Sequence, residues 1–277
     1  MQLSIQHTTQ YSYSHPLNYS IQQLRLTPHD GFGQRVKNWS ISVNGQLSQH
    51  FDTYGNVVHT MVLDGNHSEI KLIAKGEVET GLPMEATQER LPLPIFLRNT
   101  ELTAVDAQIK AFAAPLGRLK TIADLEKLSA AIIERVPYVK GATGVYTTAP
   151  QAFEASTGVC QDHAHIFIAC CRSLGIPARY VSGYLFTDDG HLLESHAWAD
   201  AWLDGIGWVS VDVSNRCLAD SAHVRLATGL DYRDACPVSG VRVGGGMETM
   251  QVGVHVWQLG ADGKTREIKK QIEQIQQ

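Results

Sequence analysis

One short segment past the middle of the 277-residue chain limits the possible folds more than any other. From Cys160, the residues Cys160, Ala164, Phe167, Cys171 and Leu174 step by 4, 3, 4 and 3, which draws a single apolar stripe along one helix face. Gly175 and Pro177 end that helix. Strand patterns follow at 179–186, 195–203 and 208–212, with Asp188-Asp189-Gly190 and Asp204-Gly205 as turns between them. A core helix feeding an antiparallel meander predicts an α+β arrangement.

Upstream, residues 1 to about 80 read as short strands. Leu3 and Ile5 alternate with polar neighbours, 39–43 alternates before Asn44-Gly45, and 70–74 follows Gly65-Asn66. His15-Pro16, Pro28-His29-Asp30-Gly31 and Tyr54-Gly55-Asn56 read as turns. The expectation is an N-terminal antiparallel, sandwich-like β domain over 1–82. Pro83, Pro92 and Pro94 mark 81–96 as a connector. Two helical patterns open the next stretch. One spans 103–112, with Val105, Ile109 and Phe112; the other spans 121–136, with Thr121 as N-cap and Pro137 as its stop. A catalytic core over 97–260 and a polar tail over 261–277 complete the expected organisation. Ile268, Ile272 and Ile275 form only a weak helical stripe in that tail, where fraying is expected.

Hydrophobic residues at 43% and charged residues at 18% are ordinary for a globular chain. With 23 basic and 28 acidic residues the formal charge is −5, which gives no global attraction to nucleic acid or anionic lipid. Five cysteines, an odd number, do not make a disulfide framework. The start lacks a basic segment leading into an apolar one, and no apolar run reaches the ~18 residues of a membrane helix. These features predict a cytoplasmic protein with reduced thiols. The Asn-x-Ser triplets at Asn18, Asn38 and Asn66 then read as chance matches.

The chemistry gathers around that helix. Cys160 stands in its first turn, where unpaired N–H groups and the helix dipole favour an anion, so a depressed thiol pKa is expected. Cys170 and Cys171 read as buried structural thiols. In 195–203 the period of two puts His196, Trp198, Asp200 and Trp202 on one face and Ala197, Ala199 and Ala201 on the other. A short connection folds 208–212 back on it, bringing Asp212 near His196. Asp212 is expected to hold Nδ1–H and turn Nε2 toward the thiol. His163 and His165 sit two apart on a helix, about 200° from each other, so no metal shared with Cys160 is expected. Asp162, His165 and Trp198 are candidates for the substrate site, with His165 expected in its wall. Tyr138 and Tyr146 are candidates for its cleft, although filling a core is the more expected role for each. Gly244-Gly245-Gly246 lacks the Lys and Ser/Thr of a phosphate loop and reads as a turn, so no cofactor is expected.

Four blocks carry a family resemblance: 158–165 (GVCQDHAH), 174–184 (LGIPARYVSGY), 195–198 (SHAW) and 207–212 (GWVSVD). In this order and spacing the chain resembles the bacterial transglutaminase-like cysteine hydrolases. Leu24-Arg25-Leu26-Thr27-Pro28 and Asp52-Thr53-Tyr54-Gly55-Asn56 resemble the β domain preceding the core in that family, and 227–232 its C-terminal block. The resemblance implies a papain-like core with Cys160 as nucleophile, His196 as general base and then acid, and Asp212 as orienter. The chain departs from the family pattern at three places. Asp212-Val213-Ser214-Asn215 stands in place of Asp-Pro-Thr-Asn, His163 in place of an aromatic residue, and Leu230 in place of Arg.

The implied activity is amide chemistry through a thioester on Cys160, with hydrolysis of a peptide or amide substrate expected ahead of acyl transfer to an amine. The backbone N–H of Cys160 is expected as one oxyanion donor, with the second left open. A non-catalytic binding module that keeps the fold is the reading from a different class.

Overall fold

The computed structural model describes residues 1–84, 90–187, 195–259 and 274–276. The first 80 residues form β1 (Gln2–Thr27), β2 (Gln34–Val43), β3 (Gln46–Phe51) and β4 (Val57–Thr80). β1 and β4 pair antiparallel along nearly their whole length, and β2 and β3 pair with β4. Leu3, Ile5, His7 and Thr9 are buried in alternation, the pattern of a sheet with one covered face. His15-Pro16 and Gly65-Asn66 do not end strands as their composition suggests. Both strands run through, and the pairing slips between Ser12 and Leu17 and again before Tyr19, with Gly65 at φ 90°. Proline cannot donate to a ladder, so the long pairing absorbs both turn signals as one shared irregularity.

Next come α1 (Ala107–Ala113), α2 (Ile122–Arg135), α3 (Ala149–Ala155) and α4 (Cys160–Ser173). The expected start of α1 at 103 moves to Asp106, whose Oδ1 accepts the Ile109 N–H at 2.8 Å. Thr103 is held earlier, in a turn with the Thr100 hydroxyl. α2 matches its expected span, with Thr121 and Asp124 forming a capping box. α3 had no apolar periodicity long enough to announce it, but Thr148 and Gln151 carry the same capping signature.

The second sheet follows: β5 (Ala178–Leu185), β6 (Ser195–Leu203), β7 (Gly207–Asp212), β8 (Cys217–Leu218) and β9 (His223–Gly229), ordered β8-β7-β6-β5-β9. The expected turn at 188–190 lies outside the described residues. Ala197, Ala199 and Ala201 of β6 share a core with Phe167, Ile168 and Cys171 of α4. Small side chains on that face let the helix lie close against the sheet. Tyr184, Phe186, Val224 and Leu226 join Leu3, Leu24 and Leu72 in a second core, which ties the two sheets together.

A short helix, α5 (Tyr232–Ala235), precedes β10 (Val238–Gly244) and β11 (Glu248–Gln258). Both strands pair with β1 in the first sheet, so a segment placed by sequence within 97–260 hydrogen-bonds with the N-terminal strands. β12 (Gln274–Gln276) pairs with β11. Ile268 and Ile272 of the tail lie outside the described residues. Among the described residues no helix is long and apolar enough to cross a membrane.

The first sheet also covers the free edge of β9. The Gln34 side chain donates to the Arg225 carbonyl at 2.9 Å and accepts its N–H at 2.8 Å. Asn56 does the same for Thr228, with both bonds at 2.8 Å. Two side-chain amides thus replace the neighbour strand that β9 lacks.

Candidate active site

The start of α4 is built around Asp162. Its Oδ2 accepts the Val159 N–H at 2.8 Å and the Thr143 hydroxyl at 2.5 Å, capping the same first turn that carries Cys160. Burial raises its pKa against these hydrogen bonds. Gly158 leaves room for this carboxylate, since a Cβ there would lie 2.8 Å from the Asp162 Cβ. The candidate substrate-site residue Asp162 is therefore buried and acts on the helix end that presents Cys160. Cys160 itself is only partly buried and sits at the positive end of the helix.

His196 is the second residue of β6 and pairs with Gly183 of β5. The Trp198 ring lies 6.1 Å from the His196 ring and passes over Gly183, where a Cβ would come within 2.5 Å of it. Trp198 is 2% exposed, so it forms a floor under the imidazole.

The three expected groups meet. The His196 Nε2–H donates to Asp212 Oδ2 at 2.7 Å, and His196 lies close enough to Cys160 for the sulfur to favour its charged form. The ring is reversed from the sequence expectation: Nε2 faces the carboxylate, which leaves Nδ1 for the sulfur. Asp212 lies one residue past the Ala199↔Val211 pair, a diagonal step from His196, so the carboxylate meets the far end of the ring. Burial opposes charge on His196, but the bonds to Asp212 and Cys160 and their Coulombic attraction outweigh it and push its pKa up to about 10. Burial likewise opposes charge on Asp212, yet hydrogen bonds from His196, His223 and Asn215 hold it well below the usual carboxylate range.

His223 and Asn215 were not found by sequence reasoning. Asn215 Nδ2 donates to Asp212 Oδ2 at 2.7 Å and its N–H to Oδ1 at 3.2 Å. His223, on β9, donates Nε2–H to the same Oδ2 at 3.1 Å. His196, Asp212 and His223 bring donor atoms within 4.8 Å of one another, a grouping that could hold a metal. Both imidazoles aim at Oδ2 itself, so the point where an ion would sit is taken by the oxygen, and the set reads as a hydrogen-bonded carboxylate.

Two departures from the family pattern turn out to be partners. His163 Nδ1 accepts the Ser214 hydroxyl at 2.8 Å, while Nε2 donates to the Val136 carbonyl at 2.8 Å. Leu230, the third, packs with Phe96 and Trp208, and its carbonyl accepts from Arg172 at 2.8 Å. His165 points elsewhere, as the helical angle requires. Its Nε2 accepts the Tyr232 N–H at 3.2 Å, its ring packs 5.1 Å from Tyr180, and burial followed by the nearby Arg172 lowers its pKa to about 3. Tyr138 and Tyr146 do not fill a core: they are 47% and 75% exposed. Tyr138 forms a backbone bridge with Gly158, and Gln161 bonds the Val145 carbonyl at 3.0 Å, so their loop lies against the start of α4. Burial pushes the Cys170 thiol up to about 12 and that of Cys217 up to about 11. Gly244, Gly245 and Gly246 all have positive φ and form the expected turn, between β10 and β11.

Residues 110–213 match the transglutaminase-like superfamily, and residues 3–79 match the bacterial transglutaminase-like N-terminal region. A crystal structure described as a "Putative Cysteine Protease" from Cytophaga hutchinsonii superposes with a TM-score of 0.77 at 21% identity, covering 100% of this chain and 98% of that one. That likeness concerns the fold. The uncharacterized protein ML0607 of Mycobacterium leprae is 29% identical over 93% of this chain and 99% of its own length. A protein-glutamine gamma-glutamyltransferase of Pseudomonas aeruginosa is 29% identical over 38% of this chain and 17% of its own.

Proposed function

Because the chain belongs to the transglutaminase-like superfamily, with the core and the bacterial N-terminal region in tandem, we propose that it hydrolyses a peptide or side-chain amide through a thioester on Cys160. The superfamily works by cysteine-based acyl chemistry; hydrolysis is our reading for this member. The observation that carries it is the His196 ring, bonded through Nε2 to a buried carboxylate at 2.7 Å and close enough to Cys160 for the sulfur to favour the charged imidazole.

The Cys160 sulfur, giving its proton to His196, attacks the carbonyl carbon and forms a C–S bond. The carbonyl oxygen takes up negative charge at the start of α4, where the Cys160 N–H points. As the C–N bond breaks, His196 hands its proton to the departing nitrogen. Water then loses a proton to the same imidazole and attacks the thioester, which frees the acid and returns the proton to sulfur. Partial exposure of both Cys160 and His196 supports water as the second nucleophile.

The test is incubation with carboxamide-bearing and ordinary peptides, with and without a fluorescent primary amine. Free acid and released amine or ammonia, abolished in Cys160→Ala, are expected. Incorporation of the fluorescent amine instead would make the enzyme an acyltransferase. No product and no trapped acyl group on Cys160 would favour a binding module.

A further inference from the structure

The geometry assigns His223 a role of its own: we infer that it is a positioning residue that fixes the catalytic carboxylate from behind. This rests on the acyl chemistry proposed for Cys160. Asp212 is fully buried, and Oδ2, the oxygen that serves His196, receives three donors: His196 at 2.7 Å, Asn215 at 2.7 Å and His223 at 3.1 Å. A buried carboxylate keeps its charge only while such donors are present, and its direction only while they are fixed.

His223 is itself fixed at both ends. Its Nδ1 lies 3.0 Å from the Asp220 backbone nitrogen, which turns Nε2 toward Asp212. Asp220 Oδ1 lies 3.1 Å from the same Nδ1 and accepts the Ala222 N–H at 2.8 Å, closing the turn that leads into β9. The Trp198 ring packs edge-on 5.3 Å away, the His196 ring lies 6.2 Å away, and Cys217 on β8 feels both Asp212 and Asp220.

The first sheet holds this arrangement from outside. Thr80 donates to the Ser221 carbonyl at 2.5 Å, and Gln34 and Asn56 pin the backbone of Arg225 and Thr228. The strand that supplies His223 is therefore clamped by the N-terminal region, which gives that region a direct physical line to the catalytic carboxylate.

The experiment compares alkylation of Cys160 by iodoacetamide, mapped against Cys217 in the same sample, from roughly pH 5 to 9. His223→Gln places an amide donor at the reach of Nε2, His223→Asn places one only at the reach of Nδ1, and His223→Met fills the space with no donor. The expected result is wild-type Cys160 labelling well ahead of Cys217. Asn and Met should slow it about tenfold, and their acid limb should lie at higher pH, because a less firmly charged Asp212 supports less charge on His196. Gln should stay within about twofold of wild type. Wild-type labelling no faster than that of Cys217 would overturn the acyl chemistry and this role together. Fast wild-type labelling left unchanged by Asn and Met would overturn the role of His223 alone, as would Gln labelling as slowly as Asn at an unchanged melting temperature. If the Asn variant does not fold, Met against Gln decides.

Discussion

Two carboxylates on one hairpin, Asp200 of β6 and Asp212 of β7, are equally buried and differ in what holds them. Asp200 is bound by Arg179 Nε at 2.8 Å, by both terminal nitrogens of Arg225 at 2.8 Å and by the Ser210 hydroxyl at 2.7 Å. The Trp208 ring lies 4.0 Å from the Arg179 guanidinium carbon, and the Phe32 ring 4.2 Å from that of Arg225. Guanidinium groups do not release a proton near neutrality, so this cluster is charged in every working state and can only hold the fold. Asp212 is bound by two imidazoles and an amide. An imidazole passes a proton at little cost, so the same burial there suits the proton transfer proposed for this site. β9 supplies one partner to each site, Arg225 to the first and His223 two residues earlier to the second.

The sharpest break of this contrast is Asp212→Asn. Turnover should fall roughly ten-thousand-fold, since the amide cannot stabilise a charged imidazole, while the fold persists. The measurements are kcat and a melting curve; an active Asn variant would remove Asp212 from the machinery. Asp200→Asn should act the other way round. Leaving two buried guanidiniums without a counter-charge should cost about 3–5 kcal/mol in urea unfolding, with a smaller loss of turnover in the molecules that remain folded.

The Asp200 cluster should weaken at the acid end of the pH range, whereas the second site should weaken at the alkaline end as well, through His196. Although burial works against its charge, the two arginines lower the Asp200 pKa from 3.8 to about 2. Its stabilisation is present above 3.8 and lost as pH falls through about 2. The His196 pKa is raised from 6.5 to about 10, so its contribution is present below 6.5 and lost as pH rises through about 10. Melting temperature against pH should lose part of its acid slope in Asp200→Asn and part of its alkaline slope in His196→Gln. The reverse assignment of the slopes would contradict the partners described here. The smallest effect is expected for Gly183→Ala. The added methyl meets the Val224 carbonyl and Trp198, so a loss of about 1–3 kcal/mol and a lowered kcat from a displaced floor under His196 are expected. An unchanged melting curve and kcat would show that the floor does not position the ring.

Much of the site was legible because its parts are local. A helix stripe placed Cys160 at a helix start, strand alternation and a short hairpin brought His196 and Asp212 together, and the family resemblance joined the three. α2 was legible for the same reason, through Thr121 and Asp124. What escaped was whatever depends on how separate strands and segments meet in space. His223 contacts Asp212 only because β9 returns beside β5, on the far side of the sheet order from β7. Ser214 gains meaning only beside His163, 51 residues away in sequence. The turn signals at His15-Pro16 and Gly65-Asn66 were real, but cross-strand pairing absorbed them.

The sequence by itself determined the α+β class, because helix and strand periods and turn residues are short-range properties, and it singled out Cys160, His196 and Asp212 together through the four blocks of its family resemblance. Tertiary structure decided which imidazole nitrogen faces the sulfur, and that a second imidazole stands behind the carboxylate. It also decided that the last strands, β10 and β11, rejoin the first sheet. Those outcomes depend on register and on which edges meet, and such long-range pairings leave no periodic trace in the chain.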